Sequence, residues 1–465
     1  MFSYLHFLPL LVIGALAAPA EDEILSLPGL DFAITYRHYS GYLTGSEGKN
    51  LHYWFIESAN DPATDPVILW MNGGPGCSSL LGLFTELGPY RVNPDGVTLQ
   101  ENIYSWHTFA NVIFLEAPAC VGFSYDDNNN CTTNDDETAL SNYNALKDFF
   151  TNKFPEYLPN EFYITGESYA GIYVPTLAVN VLEGLAELNI NLQGFAVGNG
   201  VTDYDMMDNA LIFFGYYHGL YGSDLWDRLV TNCCQNGDAS ENSCFFTNST
   251  NGACQLNVLE AFAIIYGGEL NVYSLYGRCA SGQSDGYQTR LNADIAGLTG
   301  KHKSYISSLI NNKFRHSNER STPPCLNYTG LINYLDTPAV RQAIHVNVNA
   351  PSWDVCSDTI DYTRQYNTMK EKYDYLTPRI RGLLFNGDTD MACNFMGDEW
   401  FVESLGQEVT EMRRMWYEGG DVAGFVKRFQ NLDFMTVLGA GHMVPEDKPP
   451  AALKMIKSFI LNTPY

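Results

Sequence analysis

The sequence predicts an α/β protein: a mostly parallel central sheet, helices on both of its faces, and a segment inserted between its two halves. Three observations carry that expectation. Continuous apolar runs recur along the chain, as strands buried on both faces require. Val67-Ile68-Leu69-Trp70-Met71, Asn111 to Glu116, Leu192 to Val197, Ile380 to Phe385 and Phe434 to Leu438 are such runs. Helix-period stretches alternate with them; in Thr138 to Phe154, Leu140, Tyr143, Leu146, Phe149 and Phe150 are spaced for one face. From about Val201 to Pro324 the texture changes to long irregular stretches holding Cys233, Cys234, Cys244, Cys254 and Cys279.

Bulk properties bound the rest. A chain of 465 residues, 45% of them hydrophobic, can bury a large core. Length alone fits two or three domains, or one large α/β domain with an insertion. Charged residues make up 17%, and aromatics are abundant, so the chain is not of the disordered class. A net charge of −27 argues against nucleic acid and anionic membrane as partners. It suits an acidic compartment, where part of that charge is titrated away.

Residues 1–17 read as a secretory signal. Leu8 to Ala18 is apolar and Ala15-Leu16-Ala17 offers small residues for cleavage, although no Lys or Arg precedes the run. The expected cut follows Ala17, with Ala18 and Ala20 as alternatives. The run is too short to span a bilayer, and no later stretch reaches about twenty apolar residues. Eleven cysteines and the sequons at Asn130, Asn248 and Asn327 agree with passage through the secretory route.

Residues 18–200 are the expected first part of the core. Tyr36 to Tyr42 and Leu51 to Glu57 are strand-like on either side of a Gly-containing turn. The Val67 run leads straight into Asn72-Gly73-Gly74-Pro75-Gly76-Cys77-Ser78-Ser79. So many glycines with a proline stop strand and helix alike, and they can leave backbone N–H groups bare toward a ligand. The Asn111 run leads into Pro118-Ala119-Cys120-Val121-Gly122-Phe123-Ser124-Tyr125. After the helical stretch, Phe162-Tyr163-Ile164 precedes Gly166-Glu167-Ser168-Tyr169-Ala170-Gly171. Small residues two before and two after a serine allow a sharp strand-to-helix turn that exposes the hydroxyl. Alanine at the fifth position, where glycine is usual, still avoids crowding.

Residues 201–324 are the expected cap over the sheet's active edge, with Cys325 at its border. Within it Gln283 to Arg320 is polar and carries Lys301, Lys303, Lys313, Arg315 and Arg320, as an exposed loop does. Residues 325–465 return to the α/β pattern. The strand at Ile380 ends in Asn386-Gly387-Asp388-Thr389-Asp390, and the strand at Phe434 ends in Gly439-Ala440-Gly441-His442-Met443-Val444-Pro445. Pro449 to Leu461 is the closing helix. No internal repeat is visible.

A serine elbow, an acid after a late strand and a histidine after the last strand form the order Ser…Asp…His. A serine needs a base to take its proton, and the base needs a carboxylate to fix its tautomer and stabilise its charged form. The candidates are Ser168 as nucleophile, His442 as base and acid, and Asp390 as the orienting acid. Asp388 competes with Asp390, and either aspartate also fits a plain strand-end turn. His38, His52, His107, His218, His302, His316 and His345 follow no core strand in so glycine-flanked a loop and are expected to be structural or superficial.

Those three motifs, Asn72 to Ser79, Gly166 to Gly171 and Gly441 to Pro445, resemble the serine carboxypeptidases. The likeness runs from about Leu27 to Tyr465, is weakest in the insertion, and is strongest toward the lysosomal members in Asn386 to Trp400, with Met391-Ala392-Cys393-Asn394-Phe395. It implies the α/β-hydrolase fold and a peptidase that removes C-terminal residues without metal or cofactor. It implies an oxyanion hole from Gly74 and Tyr169, and a substrate-carboxylate site from Asn72, Gly73, Glu86 and Glu167. Two glutamates hold a carboxylate only when at least one is protonated, so the expected activity is acid-favoured. The implied disulfides are Cys77–Cys356, Cys233–Cys254, Cys234–Cys244 and Cys279–Cys325, with Cys393 a free thiol.

Cys120 departs from the family, which has glycine there. Cys131 is also unmatched, so a Cys120–Cys131 bridge is expected. The resemblance further implies a precursor activated by excision near Ser308 to Arg320. Expected partners are peptide substrates, a second copy of the chain as a homodimer, and lysosomal galactosidase and sialidase. A lysosomal or secreted location follows. An acyltransferase or esterase with the same triad, or a chiefly stabilising scaffold, are the alternative functions.

Overall fold

The computed structural model describes residues 18–266, 270–279, 325–348 and 350–465. The expected signal segment and the excision segment near Ser308 to Arg320 lie outside these residues. The first strands are β1 (His38–Thr44), β2 (Lys49–Ile56), β3 (Val67–Met71), β4 (Tyr90–Val92) and β5 (Leu99–Glu101). Next come β6 (Asn111–Leu115), β7 (Tyr125–Asp126), β8 (Thr132–Asn134), β9 (Phe162–Ser168) and β10 (Leu192–Gly200). The last are β11 (Asp361–Thr363), β12 (Arg381–Gly387), β13 (Val409–Glu418), β14 (Asp421–Phe429) and β15 (Leu432–Val437).

The main sheet runs in the order β1-β2-β6-β3-β9-β10-β12-β15-β14-β13, with β7 paired to β2. Its centre, from β6 to β15, is parallel throughout. Antiparallel strands close both edges. Alternate residues of a strand face opposite sides. Val67, Leu69 and Met71 accordingly join one apolar cluster, and Ile68 and Trp70 join the other. The first cluster is covered by helices α1 (Asp135–Asp148) and α2 (Ala170–Glu183). The second is covered by the helix Pro449–Ile460, through Met455, Ile456 and Phe459. Fully burying each such side chain contributes about 2 kcal/mol. This is an α/β-hydrolase fold.

One local expectation changes, and one hairpin was not read from the sequence. Leu140 is 51% exposed, whereas Tyr143, Leu146, Phe149 and Phe150 are buried. Steps of three residues lag behind the helical repeat, so a stripe that begins at Leu140 has rotated to another face by Phe150. The hairpin is that of β13 and β14, whose residues show no clean alternation; Gly419 and Gly420 at its turn, both with positive φ, are the signal for it.

After β10 the chain forms α3 (Tyr204–Tyr217), α4 (Ser223–Cys233) and α5 (Gly252–Tyr266). These helices build a third apolar cluster around Phe213, Phe214, Leu229, Val258 and Ile265. Disulfides join Cys77–Cys356, Cys120–Cys131, Cys233–Cys254, Cys234–Cys244 and Cys279–Cys325, and Cys393 is free and buried. Cys120 has φ +72°, the left-handed conformation in which glycine carries no strain. Asn130, Asn248 and Asn327 are exposed. Among the described residues, no helix is long and apolar enough to cross a membrane.

Candidate active site

Parallel strands bring the carboxyl ends of β3, β9, β12 and β15 to one edge of the sheet, where loops from distant parts of the chain meet. β9 ends at Ser168, whose φ is +64°, and α2 begins two residues later. Backbone crowding explains the small residues here. A Cβ on Gly166 would lie 2.3 Å from Met71 O and 2.7 Å from Ala170 Cβ, and one on Gly171 would lie 2.4 Å from Val201 N. Ala170 is accommodated because Gly166 has no side chain.

β12 delivers Asp390 and β15 delivers His442. His442 Nδ1 is 2.7 Å from Asp390 Oδ2, with Asp390 fully buried. Asn199 Nδ2 donates to the same oxygen at 2.9 Å, and the Cys393 N–H at 3.1 Å; the Ala392 N–H donates to Oδ1 at 2.8 Å. Asp388 instead accepts from the Gly439 N–H at 2.6 Å and is only partly buried, so it closes the turn beside β15. His38, His52 and His107 are buried in other networks; His52 pairs with Glu116 at 2.9 Å.

The glycine-rich loop after β3 packs against the serine. A Cβ on Gly73 would lie 2.3 Å from Tyr169 N and 2.7 Å from Ser168 Cβ. Gly74 and Gly76 have φ of +114° and +96°. The same loop starts with Asn72, whose Oδ1 accepts from Trp70 Nε1 at 2.9 Å and from the Gly82 N–H at 3.1 Å. An indole N–H can only donate, so the amide orientation is fixed. Asn72 Nδ2 therefore points at Glu86 Oε1, 3.1 Å away, and Glu167 Oε1, 2.9 Å away. Both glutamates are buried. Burial pushes the Glu86 carboxyl up to about 7. Burial, the Glu86 charge and a hydrogen bond to it push Glu167 well above the usual carboxylate range.

A family model for serine carboxypeptidases matches residues 28–462. The chain belongs to the serine carboxypeptidase family. Its relatives include the lysosomal protective protein of Mus musculus, 47% identical over 97% of this chain and 95% of that protein. A serine carboxypeptidase of Caenorhabditis elegans is 40% identical over 97% of this chain and 95% of its own length. The crystal structure of the Kex1 carboxypeptidase of Saccharomyces cerevisiae shares the fold, with a TM-score of 0.70 at 21% identity, over 96% of this chain and 97% of that one.

The carboxypeptidase holds its site together with residues that sequence reasoning passed over. Asn199 links β10 to β12 as well as to Asp390, because its Oδ1 accepts from the Gly387 N–H at 2.9 Å. Residues 270–279 grip both catalytic-edge loops. The Tyr273 carbonyl accepts from the His442 N–H at 2.7 Å, and the Val272 carbonyl from the Met391 N–H at 2.9 Å. The Tyr273 ring also meets the His442 imidazole edge-on, 5.1 Å between centroids. Behind Asp390, Asp398 accepts from Thr202 and Asn386 at 2.6 and 2.7 Å, and burial raises it to about 7. No sequence motif marks any of these.

Asp390, Cys393 and His442 offer ligand atoms within 4.8 Å of one another. Hydrogen bonds already occupy both Asp390 oxygens and His442 Nδ1, so this set is built for proton chemistry. Burial and the neighbouring Asp390 and Asp398 charges push the Cys393 thiol well up, which leaves it a poor nucleophile.

Proposed function

We propose that this carboxypeptidase removes C-terminal residues in acid through an acyl-enzyme on Ser168. His442 takes the Ser168 proton as the hydroxyl attacks the last peptide carbonyl, and then passes it to the departing amine. Water, activated by the same imidazole, releases the acyl group and restores the serine. Asp390 holds the tautomer with Nε2 free and stabilises the imidazolium. The N–H groups of Gly74 and Tyr169 receive the oxyanion, each worth about 3 kcal/mol in the transition state. Asn72, Gly73, Glu86 and Glu167 hold the substrate's terminal carboxylate.

The observation that carries this reading is the glutamate pair on Asn72, close to the elbow that presents Ser168. A pair of buried carboxyls that keeps a proton donates a hydrogen bond to an anion and repels it once that proton is lost. The direct test is release of the last residue from a blocked dipeptide by wild type and Ser168→Ala. The variant should fold and retain at most a residual rate above water; a large share of wild-type activity would overturn the assignment.

Residues 201–324 act in this reading as a cap over the edge that carries the site, and Asn130, Asn248 and Asn327 as glycan acceptors. Five disulfides suit an oxidising compartment, and the lysosome supplies the acid. A second, compatible reading is a protective role toward a lysosomal partner, supported by the likeness to the mouse lysosomal protective protein. Co-sedimentation of purified Ser168→Ala with lysosomal galactosidase or sialidase tests that role apart from catalysis, and sedimentation of the chain alone tests the homodimer.

A further inference from the structure

Glu446 lies in the short helix Val444–Asp447 that follows His442. It is partly exposed, yet it belongs to the recess of the glutamate pair. Glu86 is the foremost charge acting on it, Asp447 adds to that, and Arg91 acts in the opposite sense. Glu446 in turn helps to keep Glu167 protonated. Its polar contacts are the Thr85 hydroxyl, one residue from Glu86, and Tyr328 Oη, 3.5 Å from its Oε2. No Lys, Arg or His among the described residues forms an ion pair with it. The Arg91 guanidinium is directed to the carbonyls of Glu86 and Pro445. Glu86 Oε2, buried beside this cluster, has no hydrogen-bond partner. The recess therefore contains more carboxyl groups than its own cation can serve, and one buried oxygen still lacks a donor.

A peptide whose terminal carboxylate rests on Asn72, Glu86 and Glu167 carries its last side chain only one carbon away. In this reading that side chain lies beside Glu86, against which the helix bearing Glu446 packs. We propose that Glu446 is the specificity-determining residue for the last side chain, favouring peptides that end in arginine or lysine. This rests on the carboxylate-binding reading of the glutamate pair given above. A guanidinium presents a planar fork that matches a carboxylate and stacks on an aromatic ring such as Tyr328. Burial and the Glu86 charge raise the Glu446 carboxyl to about 8. In acid it is a neutral acid that tolerates apolar side chains. A cation beside it favours the ionised form, so binding an arginine peptide releases a proton and becomes easier as pH rises. Glu86, Glu167, Asp447, Arg91, His442 and Tyr328 are the charged or titratable groups around it; their charges also distinguish arginine from citrulline, so the share of the preference that belongs to Glu446 is the share lost in Glu446→Gln.

The experiment compares blocked dipeptides ending in arginine, in its uncharged isostere citrulline, and in leucine, at acid and near-neutral pH. Wild type should prefer arginine over citrulline in kcat/KM by about tenfold, more so at the higher pH. Glu446→Gln should bring that ratio close to one, through KM rather than kcat. A wild-type ratio near one, or a ratio that survives Glu446→Gln, overturns the proposal, and the wild-type comparison decides even if the variant does not fold. The leucine acid and its amide separate the two readings. If both are hydrolysed alike across pH, the glutamate pair does not read the carboxylate; if they differ while arginine and citrulline do not, only the role of Glu446 fails.

Discussion

Glu86 and Glu167 converge on a single amide, with Asn72 Nδ2 3.1 Å from the first and 2.9 Å from the second. In the proposed reading the pair keeps a proton in that arrangement, and binding of the substrate carboxylate depends on it. Glu86 is raised to about 7 and Glu167 is also held well above the usual carboxylate range, so the pair keeps both protons in acid, loses one near 7 and holds the other to higher pH. For a blocked peptide acid KM should climb, by up to about tenfold per pH unit, as pH rises past the Glu86 value and the pair loses its remaining proton, ahead of any fall in kcat. The matching amide carries no terminal charge and should hold its kcat/KM. Glu86→Gln with Glu167→Gln should flatten the rise. Parallel acid and amide profiles, indifferent to the double substitution, would contradict this.

The same protons set the stability profile. A carboxyl raised in the folded state leaves stability whole below its unfolded value of 4.5 and removes it as pH rises toward the folded value. For Glu86 the loss is on the order of 3 kcal/mol, complete a little above pH 7. Glu167 and Asp398 act in the same direction. His38 and His107, lowered by burial to about 4, act oppositely, but only below their ordinary 6.5. Thermal melts should therefore show Tm falling between about pH 5 and 8, with a shallower fall in Glu86→Gln. A Tm that rises through that window would refute the assignment.

Asp390 and Asp388 should separate cleanly. Asp390→Asn should lower kcat by about 10⁴ with the fold retained, because the imidazole loses the partner that fixes its tautomer. Asp388→Asn should leave kcat within a few fold and cost about 1 kcal/mol of stability through the weakened Gly439 bond. Steady-state kinetics and a denaturant melt on each variant check both statements, and equal losses of kcat would contradict the division of roles.

Cys120 offers a test of backbone strain. Its bridge to Cys131 closes a separation of 11 residues, which is worth about 3 kcal/mol. Cys131→Ala with Cys120→Ala should lose that amount. Cys131→Ala with Cys120→Gly should recover about 1 kcal/mol of it, since glycine accepts φ +72° without strain. Urea titration of the two double variants gives the difference directly, and an alanine variant as stable as the glycine one would rule out strain at this position.

The proposed triad residues Ser168, Asp390 and His442 stood out because each follows an apolar strand, and the strand order carries those strand ends to one edge. Val67 to Met71 read correctly because burial on both faces leaves no polar position in that run, and the Phe434 run overlaps β15 although it contains Thr436 and ends one residue late at the exposed Leu438. Glu86 was singled out only by what the family resemblance implies, since it ends the turn Gly82–Glu86 with nothing in its spacing to mark it. Asn199, Tyr273 and Asp398 were invisible because their roles arise from pairings across the fold, such as the His442 N–H on the Tyr273 carbonyl. The strands β13 and β14 escaped notice because they lie at the sheet edge, where exposure blurs alternation.

The insertion separates Ser168 from Asp390 and His442 along the chain, yet β10 and β12 on either side of it are paired neighbours, in register from Gly194 with Arg381 to Gly198 with Phe385. Cys279–Cys325 brackets residues 280–324, and Cys77–Cys356 is a second bridge across them. A backbone cut within that bracket severs no described strand pairing and releases neither half. Such a cut would make the enzyme a two-subunit assembly, with Ser168 on one polypeptide and Asp390 and His442 on the other. In genetic terms the two halves become separable only before folding: co-folding them from separate messages should restore the assembled edge, whereas copies cut after folding keep their own halves and should not complement one another.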